Sequence, residues 1–465
     1  MLDPMRLFPS EPTARALAAK LYDTVRDLPI LSPHGHTDPA WFAKDEAFPN
    51  PAALFIQPDH YIFRMLYSQG VSLESLGIPQ LNGKQQADPR EVWRIFAKHY
   101  YLFRGTPTRL WFDYSMQENF GLKERLTPDN ADEFYDVIAA KLQTPEFRPR
   151  ALFEQFNIEV LSTTDSPLDS LEHHIAIRES GWKGRVLPTF RPDAVIDADY
   201  TGFVRNIEDL GAMTEEYIGT FKGYLNALRK RREFFISLGA TATDHGHVTP
   251  ETADLPAQEA EALYQKILSG KSTAQEKKLF QAQMLTEMAA MSADDGLTMQ
   301  IHPGSIRNHN AGVYKKFGRD KGADIPSPTE YVNSLRPLLD RFGNNTNFTL
   351  ILFTLDESTF SRELAPLAGH YPVLRLGPPW WFHDSPEGMM RFRETATETA
   401  GFYNTVGFND DTRAFLSIPS RHDVARRIDC AFLGNLVAQH RLDEDEAFEV
   451  VKDLTVNLVK KAYKL

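Results

Sequence analysis

Two histidines separated by a single residue, His34 and His36, stand at the end of an apolar segment near the N-terminus. In extended backbone, residues two apart point to the same side, so both imidazoles can face one point. Neutral imidazole binds divalent transition ions well, and a carboxylate such as Asp411, which follows another apolar segment, would complete three protein ligands. We therefore predict one divalent ion, with zinc as the default and manganese, iron or cobalt as alternatives.

A second group of candidates combines His60 and Tyr61 with Arg64, which follows about one helical turn later. A tyrosine beside cationic groups loses its proton more readily and can then act as a base. The alternative interpretation is a helix start at which Tyr61 packs into the core. Both interpretations stay open from these residues alone.

Further polar and aromatic side chains follow other apolar segments. Arg191 and Arg307 could each bind a carboxylate through the planar guanidinium, or form surface ion pairs. Asp244 could act in acid–base chemistry or cap a helix, and His302 could face a site or be a structural histidine. Trp381 could flank a sugar ring or fill the core.

The elements that must position these side chains are eight short apolar segments separated by helix-like stretches, a pattern that indicates repeated βα units. Eight parallel strands predict an α/β fold of the (β/α)₈ TIM barrel type, in which catalytic side chains lie at the carboxyl ends of the strands. The absence of a GxGxxG turn disfavours a dinucleotide-binding sheet, so no nucleotide cofactor is expected. The predicted strands cover residues 28–36, 158–165, 186–191, 235–245, 297–302, 348–354, 372–377 and 405–411.

The spacing of these segments predicts an insertion, because about 120 residues separate the first two strands where one βα unit takes roughly 30. Residues 1–36 are predicted to hold an N-terminal helix and the first strand, 37–155 an inserted loop and helical subdomain, and 156–465 the rest of the barrel. A polar helical hairpin is expected at about 251–292, with its turn at Ser269 and Gly270. The inserted helices offer a surface on which a homo-oligomer could form.

The composition limits the possible partners and location. The chain has 465 residues, with 51 basic and 63 acidic side chains and a formal net charge of −12. This charge disfavours nucleic acid and anionic lipid as partners. The longest apolar runs are far shorter than the about 20 residues that span a bilayer, and the N-terminal segment does not resemble a signal peptide. The one cysteine, Cys430, cannot form an intrachain disulfide, so we expect a buried thiol in a cytoplasmic protein.

In their order along the chain, these motifs resemble the uronate isomerase family of the amidohydrolase superfamily. Single motifs such as HGH or TDHG are weak, but the ordered set is highly specific. The superfamily fold is a metal-dependent (β/α)₈ barrel, which agrees with the strand count. The matching segments are SPHGH at 32–36, PDHYIFR at 58–64, STTD at 162–165, TFRPD at 189–193, TDHG at 243–246, MQIHPGSIRNHN at 299–310, PPWWFHD at 378–384 and NDDTRAFLSIPSRHD at 409–423.

The resemblance implies interconversion of D-glucuronate with D-fructuronate and of D-galacturonate with D-tagaturonate, an aldose–ketose isomerisation through an enediol. A hexuronate is then the substrate, and Arg191 is the candidate for binding its C6 carboxylate. The implied metal ligands are His34, His36 and Asp411. The implied proton-handling and charge-stabilising residues are Tyr61, Asp411 and Arg413, and the implied substrate-site residues are His60, Arg191, Asp244, His302 and Trp381.

Two other functions remain consistent with the residues. A metal-dependent hydrolase would direct metal-bound hydroxide at an amide or ester. The sixth predicted strand, however, ends in Thr354 and the fourth in Asp244 and His245, where such hydrolases commonly carry a histidine and a lysine. A single ion is therefore expected. A non-catalytic barrel that binds sugar acids would keep the pocket without the chemistry.

Overall fold

In the part of the chain that the structure describes, seven short parallel strands and one small antiparallel pair form the sheets. The computed structural model describes residues 2–81, 83 and 87–465. Most parallel strands are buried at nearly every position, which explains why they appear in the sequence as continuous apolar runs. The strands are β1 Ile30–Ser32, β2 Ile158–Ser162, β3 Val186–Leu187, β4 Ala242–His245, β5 Thr298–Ile301, β6 Ser305–Ile306, β7 Ile325–Pro326, β8 Leu350–Leu352 and β9 Leu374–Leu376.

The parallel strands pair in chain order, as β1-β2-β3 and as β4-β5-β8-β9, while β6 and β7 form a separate antiparallel hairpin. Phe190 bridges to Asp165 on one side and to Thr243 on the other, which joins the two sheets. Thr405 bridges to the last strand, and the amide of His36 donates to the carbonyl of Thr412 at 2.9 Å. Eight segments therefore close a circuit, and the predicted (β/α)₈ barrel is confirmed.

Each predicted strand is shorter in the structure, and two predictions are also wrong in the kind of backbone at one end or throughout. Residues 235–237 end a helix rather than begin the fourth strand, because Phe235 packs edge-on against Phe190 from the helical layer, with ring centres 5.1 Å apart. The predicted eighth strand at 405–411 is reduced to the single bridge at Thr405. Gly407 and Asp411 have φ values of 77° and 38°, which interrupt extended backbone.

The long segment between β1 and β2 is helical. Several of its helices begin with proline in the first turn, after a side chain such as Asp38, Asn50 or Asp88 that accepts a hydrogen bond from the first turn. Its core is aromatic and includes Trp93, Phe96 and the barrel residue Ile158. The division at residues 36 and 155 stays a prediction. The helices up to β2 are α1 Pro12–Val25, α2 Pro39–Lys44, α3 Pro51–Phe55, α4 His60–Ser68, α5 Pro89–His99, α6 Pro107–Tyr114, α7 Ala131–Leu142 and α8 Pro149–Gln155.

The remaining helices surround the barrel. Residues 251–292, predicted as a helical hairpin, contain α13 and most of α14, and Ser269 and Gly270 lie between these two helices. A capping box of Thr273 and Glu276 begins α14. The helices are α9 Glu172–Glu179, α10 Asp193–Ile196, α11 Phe203–Thr214, α12 Phe221–Ser237, α13 Ala257–Leu268, α14 Ala274–Asp295, α15 Ala311–Phe317, α16 Arg336–Phe342, α17 Ala365–Ala368, α18 Pro386–Ala400, α19 Ile418–Ala438, α20 Glu444–Lys452 and α21 Leu458–Tyr463.

The chain ends meet where α1 packs against α19, and Cys430 is buried there among apolar side chains. Burial raises the pKa of the Cys430 thiol well above its usual value. The thiol is therefore a packing group rather than a nucleophile. In the described part of the chain, no helix has both the length and the apolar character needed to cross a membrane.

Candidate functional site

A cavity of about 580 Å³ opens at the carboxyl ends of the parallel strands. The loops that follow the strands converge there, as expected for a (β/α)₈ barrel. All but one of the predicted site residues line the cavity, namely His34, His36, His60, Tyr61, Arg191, His302, Trp381, Asp411 and Arg413.

The three predicted metal ligands meet at one side of the cavity. His34 and His36 follow β1, and their Nε2 atoms lie 3.4 Å and 3.0 Å from Oδ1 of Asp411. Asp411 has a left-handed φ of 38°, a strained backbone position for a residue with a side chain. The neighbouring tertiary structure therefore holds this carboxylate toward the two imidazoles at a cost in local energy.

The charges of this group fit a divalent cation. Burial lowers the pKa of His36 to about 4, so its imidazole is neutral near pH 7. Burial also acts to lower the pKa of His34, but the carboxylates of Asp411 and Asp244 outweigh burial and raise it. The pKa of Asp411 is held well below its usual value, because the two imidazoles outweigh the effect of burial. An ionised carboxylate and two imidazole nitrogens are a donor set that transition ions accept.

Asp244 is the one predicted site residue that does not line the cavity. It is completely buried behind the cavity wall, where Oδ1 lies 2.7 Å from Nδ1 of His302 and Oδ2 accepts from Nη1 of Arg191 at 2.8 Å. Burial acts to raise the pKa of Asp244, but Arg191 and the histidines keep it well below its usual value. Asp244 therefore orients two cavity residues, and one of its carboxylate oxygens also lies within 4.8 Å of nitrogen atoms of His34 and His302.

His302 is held from both sides. An ionised carboxylate can only accept, so Nδ1 of His302 donates to Asp244 and the lone pair is left on Nε2. The ring stacks on Phe353 with centres 3.9 Å apart, and on His34 at 4.7 Å. Nε2 of His302 is buried and has no hydrogen-bond partner among the described residues. This nitrogen is therefore available to a bound molecule.

Tyr61 enters the cavity from α4, whose first turn is capped by the side chain of Asp59. Its hydroxyl donates to the carbonyl oxygen of Trp381 at 3.0 Å. Burial raises the pKa of Tyr61, although Arg421 acts in the opposite direction. Burial therefore acts against the expectation that cationic neighbours make this tyrosine a ready base, and it favours a phenol that keeps its proton.

His60 and Trp381 form the adjacent wall, in edge-to-face contact with ring centres 4.1 Å apart. Burial lowers the pKa of His60 well below its usual value, so this imidazole is neutral. Trp381 has a left-handed φ of 55° and carries the carbonyl that receives the Tyr61 hydroxyl. The strained turn thus aims both the indole and a backbone acceptor at the same corner of the cavity.

Four arginines line the cavity, and two of them, Arg191 and Arg413, belong to the predicted site. Arg191 is bound by Asp193 through Nε at 2.9 Å and by Asp244 through Nη1. Arg413, two residues beyond the ligand carboxylate, is 38% exposed and lies 3.6 Å from Asp320. The first guanidinium is fixed, whereas the second is near the open mouth.

The motif analysis missed several acidic residues of the cavity, Asp193, Asp320 and Asp324. Asp193 lies inside the TFRPD motif directly after a strand, which is a signal that could have been used. The other two belong to the segment between β6 and β7, where no periodic pattern marks a site. Asp165, another residue at a strand end, also lines the cavity, and burial raises its pKa to about 7.

Comparisons with known proteins show which proteins this chain is similar to. A family model described as glucuronate isomerase matches residues 13–463. A uronate isomerase of Rhizorhabdus wittichii is 62% identical over 464 residues, which cover 100% of this chain and 98% of the relative. The crystal structure of glucuronate isomerase from Caulobacter crescentus superimposes with a TM-score of 0.99 at 60% identity, covering 100% of this chain and 97% of that one. The uronate isomerase structure from Thermotoga maritima gives a TM-score of 0.93 at 29% identity, over 100% and 99% of the two chains.

Proposed function

This chain belongs to the glucuronate isomerase family, and we propose that it is an intramolecular oxidoreductase acting on hexuronates. The reactions are the interconversion of D-glucuronate with D-fructuronate and of D-galacturonate with D-tagaturonate. Each moves a carbonyl group between C1 and C2 of the open-chain sugar through an enediol.

One observation carries the proposal: groups suited to the two ends of an open-chain uronate face the same cavity. At one side, the Asp411 carboxylate lies within 3.4 Å of two imidazoles. Arg191, which can bind a carboxylate through its planar fork, lines the same cavity. A molecule with a carbonyl at one end and a carboxylate at the other would use both.

We propose that His34, His36 and Asp411 hold one divalent ion, with zinc as the first candidate. The donor set fits, because their ligand atoms lie within 4.8 Å of one another. Two imidazoles and one carboxylate leave positions for substrate oxygen. A bound ion would supply positive charge to polarise that oxygen.

Proton transfer, charge stabilisation and substrate orientation are assigned to side chains of the protein. Asp411 is the candidate for accepting the C2 proton and returning it to C1, and Tyr61, which stays protonated, is the candidate for donating to a substrate oxygen. Arg413 stabilises negative charge on the enediolate. Arg191 binds the C6 carboxylate and thereby orients the chain of the sugar.

Three residues complete the proposed substrate site. His60, His302 and Trp381 provide neutral imidazoles and an aromatic face along the cavity wall, which suits a polyhydroxylated chain. Asp244 contributes indirectly, through its hydrogen bonds to Arg191 and His302.

The test is ketose formation from D-glucuronate and D-galacturonate in heavy water, with elemental analysis of the purified protein. Transfer of the proton through solvent-exchangeable groups predicts deuterium at C1 of the recovered product. D-Glucose, which lacks the carboxylate, serves as the control and should not react. Absence of ketose from either uronate by metal-loaded protein would overturn the proposal.

We also propose a cytoplasmic location. The single cysteine is free and buried, which suits a reducing compartment. Activity in the cytosolic fraction of cells that produce the protein would test this location.

A further inference from the structure

Arg421 is a deeply buried cation that lies against Tyr61. It belongs to α19 and is 1% exposed. The central carbon of its guanidinium lies 3.6 Å from the ring centre of Trp111 and 5.1 Å from the ring centre of Tyr61. Tyr61 lines the cavity, whereas Arg421 is not among the described lining residues. Arg421 can therefore influence a bound molecule only through a residue of the cavity wall.

Three groups hold the guanidinium of Arg421 in place. Nε donates to the hydroxyl oxygen of Ser417 at 3.0 Å. Nη1 donates to Oδ2 of Asp384, which is also buried, and lies 3.4 Å from the carbonyl oxygen of Asp410. Nη2 is buried and has no hydrogen-bond partner among the described residues. The guanidinium is therefore fixed, with part of its donor capacity unused.

The same ion pair also fixes the acceptor of the Tyr61 hydroxyl. The hydroxyl of Tyr61 and the amide of Asp384 both donate to the carbonyl oxygen of Trp381, at 3.0 Å and 3.3 Å. Asp384 thus contacts that carbonyl through its backbone and Arg421 through its side chain. The phenol ring and the acceptor of its hydroxyl are both connected to Arg421.

The charge of Arg421 affects what the phenol can do. A cation over the face of a phenol is attracted more strongly as negative charge grows on the phenol oxygen. Buried charges also interact more strongly than charges in water. Burial raises the pKa of Tyr61, and the charge of Arg421 acts in the opposite direction. Arg421 therefore offsets part of the cost that burial imposes on negative charge at the Tyr61 oxygen.

We propose that Arg421 is a positioning residue for Tyr61, which holds the phenol beside Trp381 and strengthens its hydroxyl as a hydrogen-bond donor to a substrate oxygen. This inference rests on the proposed function for the role of Tyr61 in the isomerisation. Arg421 acts through Tyr61 and does not touch the substrate. Its contact with the carbonyl of Asp410 also connects it to the backbone that carries Asp411.

The first test removes the positive charge without leaving an unpaired buried carboxylate. Loss of one partner of a buried ion pair is strongly destabilising, so Arg421→Gln is combined with Asp384→Asn. We expect this double variant to lower kcat about tenfold, the value of one interaction with a charged group, and to change KM by less than about twofold. Asp384→Asn alone keeps the cation and should keep kcat within about twofold.

The matched control is a second buried ion pair of α19. Arg393 donates through Nε and Nη2 to the two carboxylate oxygens of Asp429, at 2.6 Å and 3.1 Å. Neither residue is among the described lining residues of the cavity. Arg393→Gln combined with Asp429→Asn should therefore change neither kcat nor KM, although it removes the same two charged groups.

A second test asks whether Arg421 acts through the hydroxyl of Tyr61. In a Tyr61→Phe background, Arg421→Gln with Asp384→Asn should lower kcat by less than a further twofold or so, because residues that act as one unit are not additive. A further tenfold fall would show that Arg421 acts independently of the phenol and would overturn the inference. Unchanged kcat in the double variant, or an equal loss in Asp384→Asn alone, would overturn it as well.

A third test needs no turnover. In protein labelled with an NMR-active carbon isotope at Cζ of tyrosine, the resonance of Tyr61 is identified by its loss in Tyr61→Phe. It should shift in Arg421→Gln with Asp384→Asn and stay in place in the control pair. An unshifted resonance would overturn the inference. A shift in a protein that forms no ketose would overturn the proposed function and leave the effect of Arg421 on the phenol standing.

Discussion

The two sides of the cavity are built on different principles. We define the cavity floor as the lining residues at or beside the strand ends, His34, His36, His302 and Asp411, together with Asp244 directly behind them. We define the cavity roof as the residues from the inserted helix and the loops, His60, Tyr61, Asp320, Trp381 and Arg413. Asp244 and His34 in the floor are 0% and 1% exposed, whereas the side chains of Arg413 and Asp320 in the roof are 38% and 52% exposed.

Hydrogen bonds and a ring contact connect the residues of the floor. Asp244 links Arg191 to His302, and His302 stacks on His34. The roof combines an aromatic part, in which the Tyr61 hydroxyl donates to a backbone carbonyl, with an exposed part, in which Arg413 lies 3.6 Å from Asp320. From this difference we expect substitutions in the floor to lower turnover more than substitutions in the roof.

The largest effect is expected in the floor. Asp411→Asn keeps the shape but removes the ionised ligand, so ketose formation should fall by about a thousandfold or more, with loss of bound metal. Turnover and elemental analysis measure both effects. Asp445→Asn, at an exposed position in the first turn of α20, is the control. If the variant lost its metal but kept full turnover, the metal ligands in the floor would not be needed for isomerisation.

Removal of one roof hydroxyl should have a smaller effect. Tyr61→Phe keeps the ring packing against Trp381 but removes the proton donor, so kcat should fall about a hundredfold. Equilibrium binding of D-glucarate, an open-chain sugar diacid used as a binding probe, should be retained. Tyr403→Phe, an exposed tyrosine bound to Asp453, is the matched control. If kcat of Tyr61→Phe equals that of the unmodified protein, the phenol has no part in proton transfer and a non-catalytic role must be considered.

The partly exposed arginine of the roof should be more tolerant. Arg413→Lys keeps the charge but loses the planar fork, so kcat should fall about tenfold. Steady-state kinetics measure this change, with Arg205→Lys on the exposed face of α11 as the control. A loss as large as that of Asp411→Asn would remove the distinction between floor and roof.

The smallest effect concerns stability near the floor. Burial raises the pKa of Asp165 to about 7, although the hydroxyl of Thr163 acts to lower it. The unfolded chain releases this proton near pH 4 and the folded protein near pH 7, so the stabilising contribution of Asp165 is complete below about pH 4 and disappears as the pH rises through about 7.

Asp165→Asn carries no such charge. Its free energy of unfolding relative to that of the unmodified protein should therefore increase by about 2 kcal/mol between pH 5 and pH 8. Denaturant titrations at the two pH values measure this difference. The exposed Asp254→Asn should show no pH-dependent gain, and a flat difference for Asp165→Asn would mean that its carboxyl titrates normally.

Much of the site could be predicted from local patterns. The paired imidazoles of His34 and His36 follow from the two-residue period of extended backbone, and the apolar runs identified most barrel strands. The family resemblance was confirmed by full-length relatives. The prediction of the eighth strand failed because Gly407 and Asp411 have positive φ values and are not extended, which the apolar pattern does not show.

Other features depend on burial, which a sequence pattern does not reveal. Asp244 was expected at the substrate site but lies behind the wall. Tyr61 was expected to lose its proton easily, yet desolvation dominates over the nearby Arg421. For both residues the sequence identified a titratable side chain. Burial in the folded protein then determined its pKa and whether a bound molecule can contact it.

The sequence by itself determined the location of most strands, that two imidazoles can face one point, and to which family the chain belongs. Only the tertiary structure decided that Asp411 reaches those imidazoles and that Asp244 lies behind the cavity wall, where it binds Arg191 and His302. Strand periodicity is a property of neighbouring residues, whereas these contacts between distant residues depend on closure of the barrel and on the path of the loops. Contacts between distant segments arise from packing, and no local pattern specifies them.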